Sequence, residues 1–316
     1  MFTYLKQLLK LILVLVFKPS KKDLPIDKMG VNCFFNVPEL GSVQEQERDI
    51  NENLNINKIR ILCNWDNASQ YSKDAAPNLS FTDNVLNNLQ LDSEIIMVIA
   101  SCPTWLEDID PAKRIDYFIS FCESVMSKYK DNPRVVGYQI GNEPNSPGFP
   151  SNRVLDFLNP DNYLLALARA YRFEKELGGS KLILLAATTS IVQSYRDTIE
   201  YNERLLSQNV EKFCDVYCIH YYGDRSFVNF MRPNGAYQFM KRIKRHIWIT
   251  EIGENSFNKH VDYARVVIPY LLKTIPNIKR LYWYQYDGAG STESFGLKNA
   301  NGALSRLYAY ISNKNG

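Results

Sequence analysis

The chain has 316 residues, of which 37 are basic and 34 are acidic, so its formal net charge is +3. This balance, with no block of Lys or Arg beyond the N-terminal region, argues against a nucleic-acid-binding surface. The length would allow two domains, but α/β barrels commonly reach this size as one domain. We therefore expect one folded domain without a nucleic-acid partner.

The cysteines and histidines form neither a disulfide pattern nor a metal-binding pattern. The six cysteines lie mostly in apolar, strand-like runs and include no Cys-x-x-Cys pair, which favours buried free thiols and a reducing compartment. The three histidines show no His-x-His or His-Glu-x-x-His spacing. The sequence predicts no metal and no cofactor.

The N-terminal segment, residues 1–28, differs from the rest of the chain. Residues 2–17 are apolar except for four polar side chains that fall on one side of a helix. The longest unbroken apolar run, residues 11–17, is far shorter than the ~20 residues that span a bilayer. We expect a helix in the membrane interface and then a basic linker, which makes the protein membrane-associated on an unspecified side. An uncleaved signal sequence and a helix packed on the domain are the alternatives.

From residue 29 onward, short apolar runs alternate with longer amphipathic ones, as in βα units around a parallel sheet. Strands are predicted at Gly30–Phe35, Lys58–Asn64, Glu94–Ser101, Val135–Asn142, Lys181–Thr189, Asp215–Tyr221, Ile247–Ile252 and Arg280–Tyr286. Helices are predicted between them, for example at Pro111–Lys130 and Asp161–Leu177.

Eight such units predict a (β/α)8 TIM barrel over residues 29–316, with the active site at the C-terminal ends of the strands. A doubly wound sheet is the alternative fold. It is disfavoured because no glycine-rich phosphate-binding loop follows the first strand.

Two glutamates stand where predicted strands end, Glu143 after the fourth strand and Glu251 on the seventh. Such a carboxylate pair suits acid/base and nucleophilic chemistry on sugars. A structural salt-bridge role is the alternative for both residues. Because buried carboxylates need donors, Arg60, Asn142 and Tyr222 are candidates to hold them.

Several short motifs resemble clan A glycoside hydrolases, and the similarity is greatest to the cellulase-like family five and the xylosidase-like family thirty-nine. The motifs are Asn142-Glu143-Pro144, His220-x-Tyr222, Thr250-Glu251, Trp283 and Phe295-Gly296-Leu297-x-Asn299-x-x-Gly302, and the likeness runs from residue 29 to the C-terminus. The resemblance implies a retaining hydrolase of β-glycosidic bonds in an oligo- or polysaccharide. Glu143 would be the general acid/base and Glu251 the nucleophile.

The resemblance also implies roles in substrate binding. Asn142 would contact the sugar 2-hydroxyl, and Trp283 would form the floor of the subsite for the reacting sugar. His220 would bind the substrate, or alternatively only orient the site. Arg60 and Tyr222 would favour the charged form of Glu251. Arg60 could instead pair with a core carboxylate, and Trp65 and Trp105 are either sugar platforms or packing residues. The family often places a histidine near the third or fourth strand, whereas this chain has Cys102-Pro103 there.

Several functions remain open at this point. A membrane-associated glycosidase would suit the processing of a surface polysaccharide. A transglycosidase would use the same two carboxylates with a sugar hydroxyl in place of water, and a catalytically silent carbohydrate-binding barrel would use neither. A barrel enzyme of unrelated chemistry is disfavoured because no metal cluster, phosphate loop or Gly-x-Ser-x-Gly elbow is evident.

Overall fold

The eight central strands close into a parallel barrel in chain order, and β8 pairs with β1. The computed structural model describes residues 5, 6, 8, 9, 12, 24–90, 92–192, 195–223, 227–288 and 294–312, without the side chains of 195, 196 and 228. The strands are β1 Met29–Asn32, β2 Lys58–Asn64, β3 Glu94–Ala100, β4 Val135–Ile140, β5 Leu182–Leu185, β6 Val216–Tyr222, β7 His246–Gly253 and β8 Ile278–Trp283. The predicted barrel and its eight strands are confirmed.

Helices connect the strands and surround the barrel. The α-helices are α1 Val43–Arg48, α2 Ser80–Asn88, α3 Pro111–Tyr129, α4 Pro150–Val154, α5 Pro160–Glu176, α6 Tyr195–Ser207, α7 Phe227–Met231, α8 Ala236–Met240, α9 His260–Thr274 and α10 Arg306–Ile311. Short 3-10 turns lie at Ile26–Lys28, Pro38–Leu40, Thr104–Asp108 and Val210–Phe213, and Asp49–Asn53 is a π-helical turn. A two-stranded sheet, β9 Asp287–Gly288 and β10 Lys298–Asn299, follows the barrel.

The N-terminal segment expected at the membrane lies largely outside the described residues. Its five described residues, 5, 6, 8, 9 and 12, are helical. Within the described part of the chain, no helix combines the length and the apolar character needed to cross a membrane.

Alternation along the strands decides which side chains reach the centre of the barrel. On β6, Val216 and Cys218 belong to the cluster that fills the barrel interior, while Tyr217 and Ile219 belong to the larger core on its outer side. The same period of two turns His220 and Tyr222 toward the interior at the C-terminal end of this strand. These two polar side chains thus lie beyond the apolar residues of the barrel interior, at the C-terminal end of the barrel.

A bulge in β7 changes this alternation just where Glu251 lies. Ile219 pairs with Ile249, but the next residue of β6, His220, pairs with Glu251, so that Thr250 is the extra residue. Trp248 points into the barrel interior, and strict alternation would therefore turn Glu251 outward. The bulge re-aims its side chain inward, a known use of bulges beside active sites.

Candidate active site

Glu143 and Glu251 face each other across the C-terminal end of the barrel, with His220 between them. The Nδ1 atom of His220 lies 2.9 Å from Oε1 of Glu143 and 3.4 Å from Oε2 of Glu251. Oxygen atoms of the two carboxyl groups lie within 4.8 Å of each other. Residues 108 positions apart in the sequence therefore form one compact cluster.

The imidazole ring of His220 lies between the two carboxyl groups. Its side chain is fully buried, and its Nε2 atom has no hydrogen-bond partner among the described residues. A proton on Nε2 would be buried without an acceptor, which is costly. Nδ1 is thus the ring nitrogen that takes part in the hydrogen-bond network, 2.9 Å from Oε1 of Glu143.

The backbone of Glu143 adopts a left-handed conformation, with φ of 43°, which is uncommon for residues other than glycine. Hydrogen bonds to its backbone hold it there. Its amide nitrogen donates to the carbonyl of Ala187 at 2.9 Å, and its own carbonyl accepts from Nδ2 of Asn152 at 2.8 Å. The turn after β4 thereby fixes the direction in which the carboxyl group enters the site.

Arg60 links the two ends of the cluster from β2. Its Nη1 donates to Glu251 Oε1 at 2.8 Å and to Asn32 Oδ1 at 2.5 Å, and its Nη2 donates to Asn142 Oδ1 at 2.8 Å. Its Nε donates to Gln139 Oε1 at 3.1 Å. Since Arg60 is 2% exposed, these bonds satisfy a buried charge and hold the nucleophile candidate in one orientation.

Glu251 is held in its ionised form. Burial acts to raise the pKa of its carboxyl group, but the neighbouring His220, the Arg60 guanidinium and the Tyr222 hydroxyl act the other way and keep that pKa below its usual value. The hydroxyl of Tyr222 donates to Oε2 at 2.7 Å. Burial, with the charge of Glu251 next, raises the pKa of Tyr222 well above its ordinary value, so that it stays a neutral donor.

The amide of Asn142 is oriented by the same network. Its Oδ1 accepts from Arg60 and, at 3.3 Å, from Nε2 of Gln139. The NH2 group of Asn142 is therefore turned away from Arg60, at the wall of the cavity that holds both carboxylates. A donor beside the reacting centre is thus available to a substrate.

A cavity of ≈ 430 Å³ opens over this cluster. Its polar wall includes Arg60, Asn142, Glu143, Tyr222, Glu251 and Tyr284. The volume lies within the ~300–1,000 Å³ typical of sites for small molecules. The structure thus brings six of the nine predicted site residues together, with His220 buried directly beneath the cavity.

The three remaining predicted residues, all tryptophans, do not line this cavity. Trp283 is fully buried, and its indole Nε1 donates to the carbonyl of Phe295 at 3.0 Å. Its ring packs edge-on against His260 and Tyr263 of α9. The prediction that Trp283 forms the floor of the sugar subsite therefore needs correction, because β8 directs this ring outward to the helix layer. The neighbouring Tyr284 lines the cavity instead.

Trp65 and Trp105 pack against each other beside the barrel, with ring centroids 5.9 Å apart. Trp65 is fully buried and donates through Nε1 to Gln70. Trp105 is partly exposed and lies in a separate surface depression beside Tyr71. These positions match the packing interpretation of Trp65, and they place Trp105 outside the cavity with the two carboxylates.

Several residues of the site are not among the nine predicted site residues. Asn32 and Gln139 complete the shell around Arg60, and Asn32 in turn donates to the carbonyls of Thr250 and Trp283. Phe34 and Phe295 line the cavity beside Tyr284. The signal for Asn32 and Gln139 was present, since both are polar residues within predicted apolar strands.

The same cluster is the one group of three His, Cys, Asp or Glu side chains in the described ranges whose ligand atoms converge. Its members are Glu143, His220 and Glu251. Two of the carboxylate oxygens already face the Nδ1 atom of His220, and a third faces the cationic Arg60 at 2.8 Å. This donor set suits proton transfer between side chains better than it suits cation binding.

A closed parallel barrel with a facing carboxylate pair at the ends of β4 and β7 defines the glycoside hydrolase class of TIM barrels. A family model places the chain more narrowly. The model of Cellulase (glycosyl hydrolase family 5) matches residues 28–287, which is more than half of the chain. The chain belongs to this family. Comparison with the curated proteins finds no matching sequence.

Solved structures of other glycosidases share the fold. The GH39 enzyme from Xanthomonas axonopodis pv. citri is 13% identical with a TM-score of 0.62, over 90% of this chain and 65% of that one. A monomeric beta-xylosidase from Caulobacter crescentus CB15 is 14% identical with a TM-score of 0.63, over 90% and 66%. Bacteroides uniformis beta-glucuronidase 2 is 17% identical with a TM-score of 0.60, over 91% and 35%. The chain spans less than two thirds of the first of these proteins.

Proposed function

We propose that the protein is a retaining glycosidase that hydrolyses β-glycosidic bonds by double displacement. The observation that carries the proposal is the carboxylate pair, whose oxygens approach within 4.8 Å. Retaining enzymes hold their carboxyl groups about 5–5.5 Å apart, whereas inverting enzymes leave ~6.5–9.5 Å for a water molecule. Membership of the cellulase family supports a carbohydrate substrate.

In the first step, an ionised oxygen of Glu251 attacks the anomeric carbon of the substrate. The bond between that carbon and the leaving oxygen breaks, and Glu143 gives its proton to the leaving oxygen. Arg60 and Tyr222 keep the attacking carboxylate charged and oriented before the reaction. The NH2 group of Asn142 is placed to bind a sugar hydroxyl beside the reacting carbon.

In the second step, water attacks the glycosyl-enzyme ester. Glu143, now deprotonated, takes a proton from that water, and the bond between the anomeric carbon and Glu251 breaks. The product keeps the β configuration because two inversions occur at one carbon. Nδ1 of His220, 2.9 Å from Glu143, donates a hydrogen bond to this carboxylate.

The stereochemistry of the first product tests this mechanism. We expect the β anomer when the hydrolysis of 2,4-dinitrophenyl β-glucoside, β-xyloside and β-glucuronide is followed by proton NMR before mutarotation. The substitution Glu251→Gln removes turnover, and Glu176→Gln on an exposed helix surface is the matched control that keeps it. Appearance of the α anomer first would contradict the retaining mechanism.

We also propose that the N-terminal helix holds the enzyme at a membrane surface, where a surface glycan would be within reach. Leu5, Leu9 and Ile12, which fall on one face of a helix, are exposed by 65%, 57% and 45%. Substitution of Leu5 and Leu9 by Glu should abolish co-sedimentation with anionic phospholipid vesicles, whereas Leu165→Glu on α5, 48% exposed, should not. Equal binding by all three proteins would contradict the proposal.

A further inference from the structure

The cavity over the carboxylates also has an apolar wall. We name this wall the apolar lobe, and it consists of Leu62, Val98, Phe118, Phe149, Leu155 and Phe157. The rings of Phe118 and Phe157 pack edge to face at 5.4 Å, which gives the lobe a fixed shape. Phe149 is 44% exposed and forms its rim.

The apolar lobe lies on the side of the cavity that belongs to Glu143. Leu62 and Val98 come from β2 and β3, and β3 is the barrel neighbour of β4, which ends just before Glu143. Three further residues of the lobe, Phe149, Leu155 and Phe157, follow Glu143 within the segment 144–159. Asn152 ties this segment to the acid, because its Nδ2 donates both to the carbonyl of Glu143 and, at 3.0 Å, to that of Ser146.

The opposite side of the cavity, next to Glu251, is lined by aromatic rings, two of which carry hydroxyl groups. Tyr222 packs edge-on against Tyr284 and Phe295, with ring centroids 6.1 Å and 5.3 Å apart. Tyr222 ends β6, Tyr284 follows β8, and Phe295 lies between β9 and β10. The sugar that becomes bonded to Glu251 must lie on this side, since its anomeric carbon is the atom attacked. The leaving group then points toward Glu143 and the apolar lobe.

Few polar side chains on the lobe side can serve hydroxyl groups of a leaving sugar. Among the described residues, Ser101, Ser151 and Asn152 are the polar ones there besides Asn142 and Glu143. Both hydrogen bonds that the Nδ2 group of Asn152 can donate already go to backbone carbonyls. A leaving sugar with several hydroxyls would lose water against carbon without regaining all of its hydrogen bonds, which is unfavourable. An alkyl or aryl leaving group has no hydroxyl groups on its carbon skeleton and would therefore lose no such hydrogen bonds.

We propose that the natural substrate is a sugar joined through a β-glycosidic oxygen to an apolar alcohol, such as a lipid alcohol, that occupies the apolar lobe. The inference rests on the proposed glycosidase function and specifies its substrate class. In the first step the anomeric carbon–oxygen bond breaks, the sugar is transferred to Glu251, and the alcohol leaves with the proton from Glu143. Water completes the reaction and releases the free sugar.

Binding to a variant with strongly slowed turnover tests this substrate class apart from catalysis. The Glu143→Gln protein would be titrated calorimetrically with methyl, butyl and hexyl β-glucosides and β-xylosides, and with cellobiose and xylobiose. We expect affinity to rise about fourfold for each added methylene that is buried, as water-to-oil transfer predicts. The disaccharides should bind no better than the methyl glycosides. Affinity that is independent of chain length would overturn the inference.

A rim substitution locates the effect. Phe149→Ser should weaken binding of the hexyl glycosides about fivefold, because part of one aromatic contact is lost, and should leave the methyl glycosides unchanged. Phe81→Ser on α2, where the ring is 49% exposed and lies outside the cavity, is the matched control and should change neither. An equal loss for hexyl and methyl glycosides in Phe149→Ser would contradict a binding site in the lobe.

Turnover by the unmodified enzyme distinguishes failure of the inference from failure of the proposed function. Faster hydrolysis of cellobiose or xylobiose than of the hexyl glycosides, with retention, would overturn the inference and leave the glycosidase function in place. Absence of hydrolysis and of covalent labelling with every glycoside would overturn the function. In that case, binding that depends on chain length would show only that the cavity binds apolar groups. The proposed substrate class would then be contradicted together with the proposed function.

Discussion

Removal of the Tyr222 hydroxyl offers a sharp perturbation of the site. Tyr222→Phe deletes one oxygen, which donates to Glu251 Oε2 at 2.7 Å. The edge-on contacts of the ring with Tyr284 and Phe295 do not involve this oxygen and should persist. Arg60 still donates to the other carboxylate oxygen at 2.8 Å. The change therefore alters the charge balance at Glu251 more than it alters packing.

The size of the effect follows from the hydrogen bond that is lost. A hydrogen bond to a charged group contributes about 1.5–3 kcal/mol, and one pKa unit corresponds to about 1.4 kcal/mol. Because the bond favours the ionised form, the pKa of Glu251 should rise by about 1–2 units in Tyr222→Phe. The nucleophile is needed ionised, so reactivity falls as the pH drops through this pKa. The acidic limb of the pH profile should thus move upward by the same amount.

The rate of covalent inactivation measures this limb directly. A 2,4-dinitrophenyl 2-deoxy-2-fluoro-β-glycoside carries a leaving group that departs without a proton, so its second-order rate constant reports on Glu251 rather than on Glu143. The matched control is Tyr221→Phe on the same strand, whose buried hydroxyl has no hydrogen-bond partner among the described residues. An acidic limb that stays in place in Tyr222→Phe, or moves equally in the control, would refute the reasoning.

Three further substitutions test other parts of the account. Glu143→Gln should slow turnover by about 10²–10⁴-fold, and azide, which needs no general base, should restore the rate with a dinitrophenyl glycoside. Arg60→Met should lower the free energy of unfolding in urea by about 3–5 kcal/mol, because it leaves a buried carboxylate unpaired; Arg204→Met, in an exposed ion pair, should cost under ~1 kcal/mol. Burial raises the pKa of Asp287 to about 7. The folded state therefore binds more protons than the unfolded state between about pH 4 and pH 7, and stability should fall as the pH rises through this window. Asp287→Asn should remove that slope, and a slope equal to that of the unmodified protein would contradict it.

Hydrophobic patterning was sufficient to predict the barrel. Parallel strands that are covered on both faces are expected to be apolar along most of their length, and residues 95–100 of β3 meet this condition. Ends of strands were less predictable. β5 stops at Leu185, four residues before its predicted end, because the chain then leaves the ladder while remaining buried.

Neighbouring aromatic residues at the end of β8 face opposite sides of the barrel wall. Tyr282 belongs to the barrel interior, so the period of two sends Trp283 outward and Tyr284 inward. The motif indicated an aromatic residue at the end of β8 but not which of two neighbours faces the cavity. For Glu251 the reverse holds, because the motif identified the residue while the alternation from Trp248 would have turned it outward without the bulge at Thr250.

The network around Arg60 could be predicted only in part. The expected partner of Arg60 was a carboxylate at a strand end, and Glu251 is that partner. Asn32 and Gln139 became partners because four strands meet at one end of a closed barrel, a long-range arrangement that a local pattern does not encode. The apolar lobe is likewise a tertiary feature, since its residues come from β2, β3, α3 and a loop.

Identification of the residue that becomes covalently bonded to the sugar tests the central claim most directly. The intact enzyme would be incubated with 2-deoxy-2-fluoro-β-glycosides of glucose, xylose and glucuronic acid, digested with a protease, and analysed by tandem mass spectrometry. We predict that one of these sugars is found as an ester on Glu251. A label on Glu143 or on another residue would contradict the assignment of the two carboxylates.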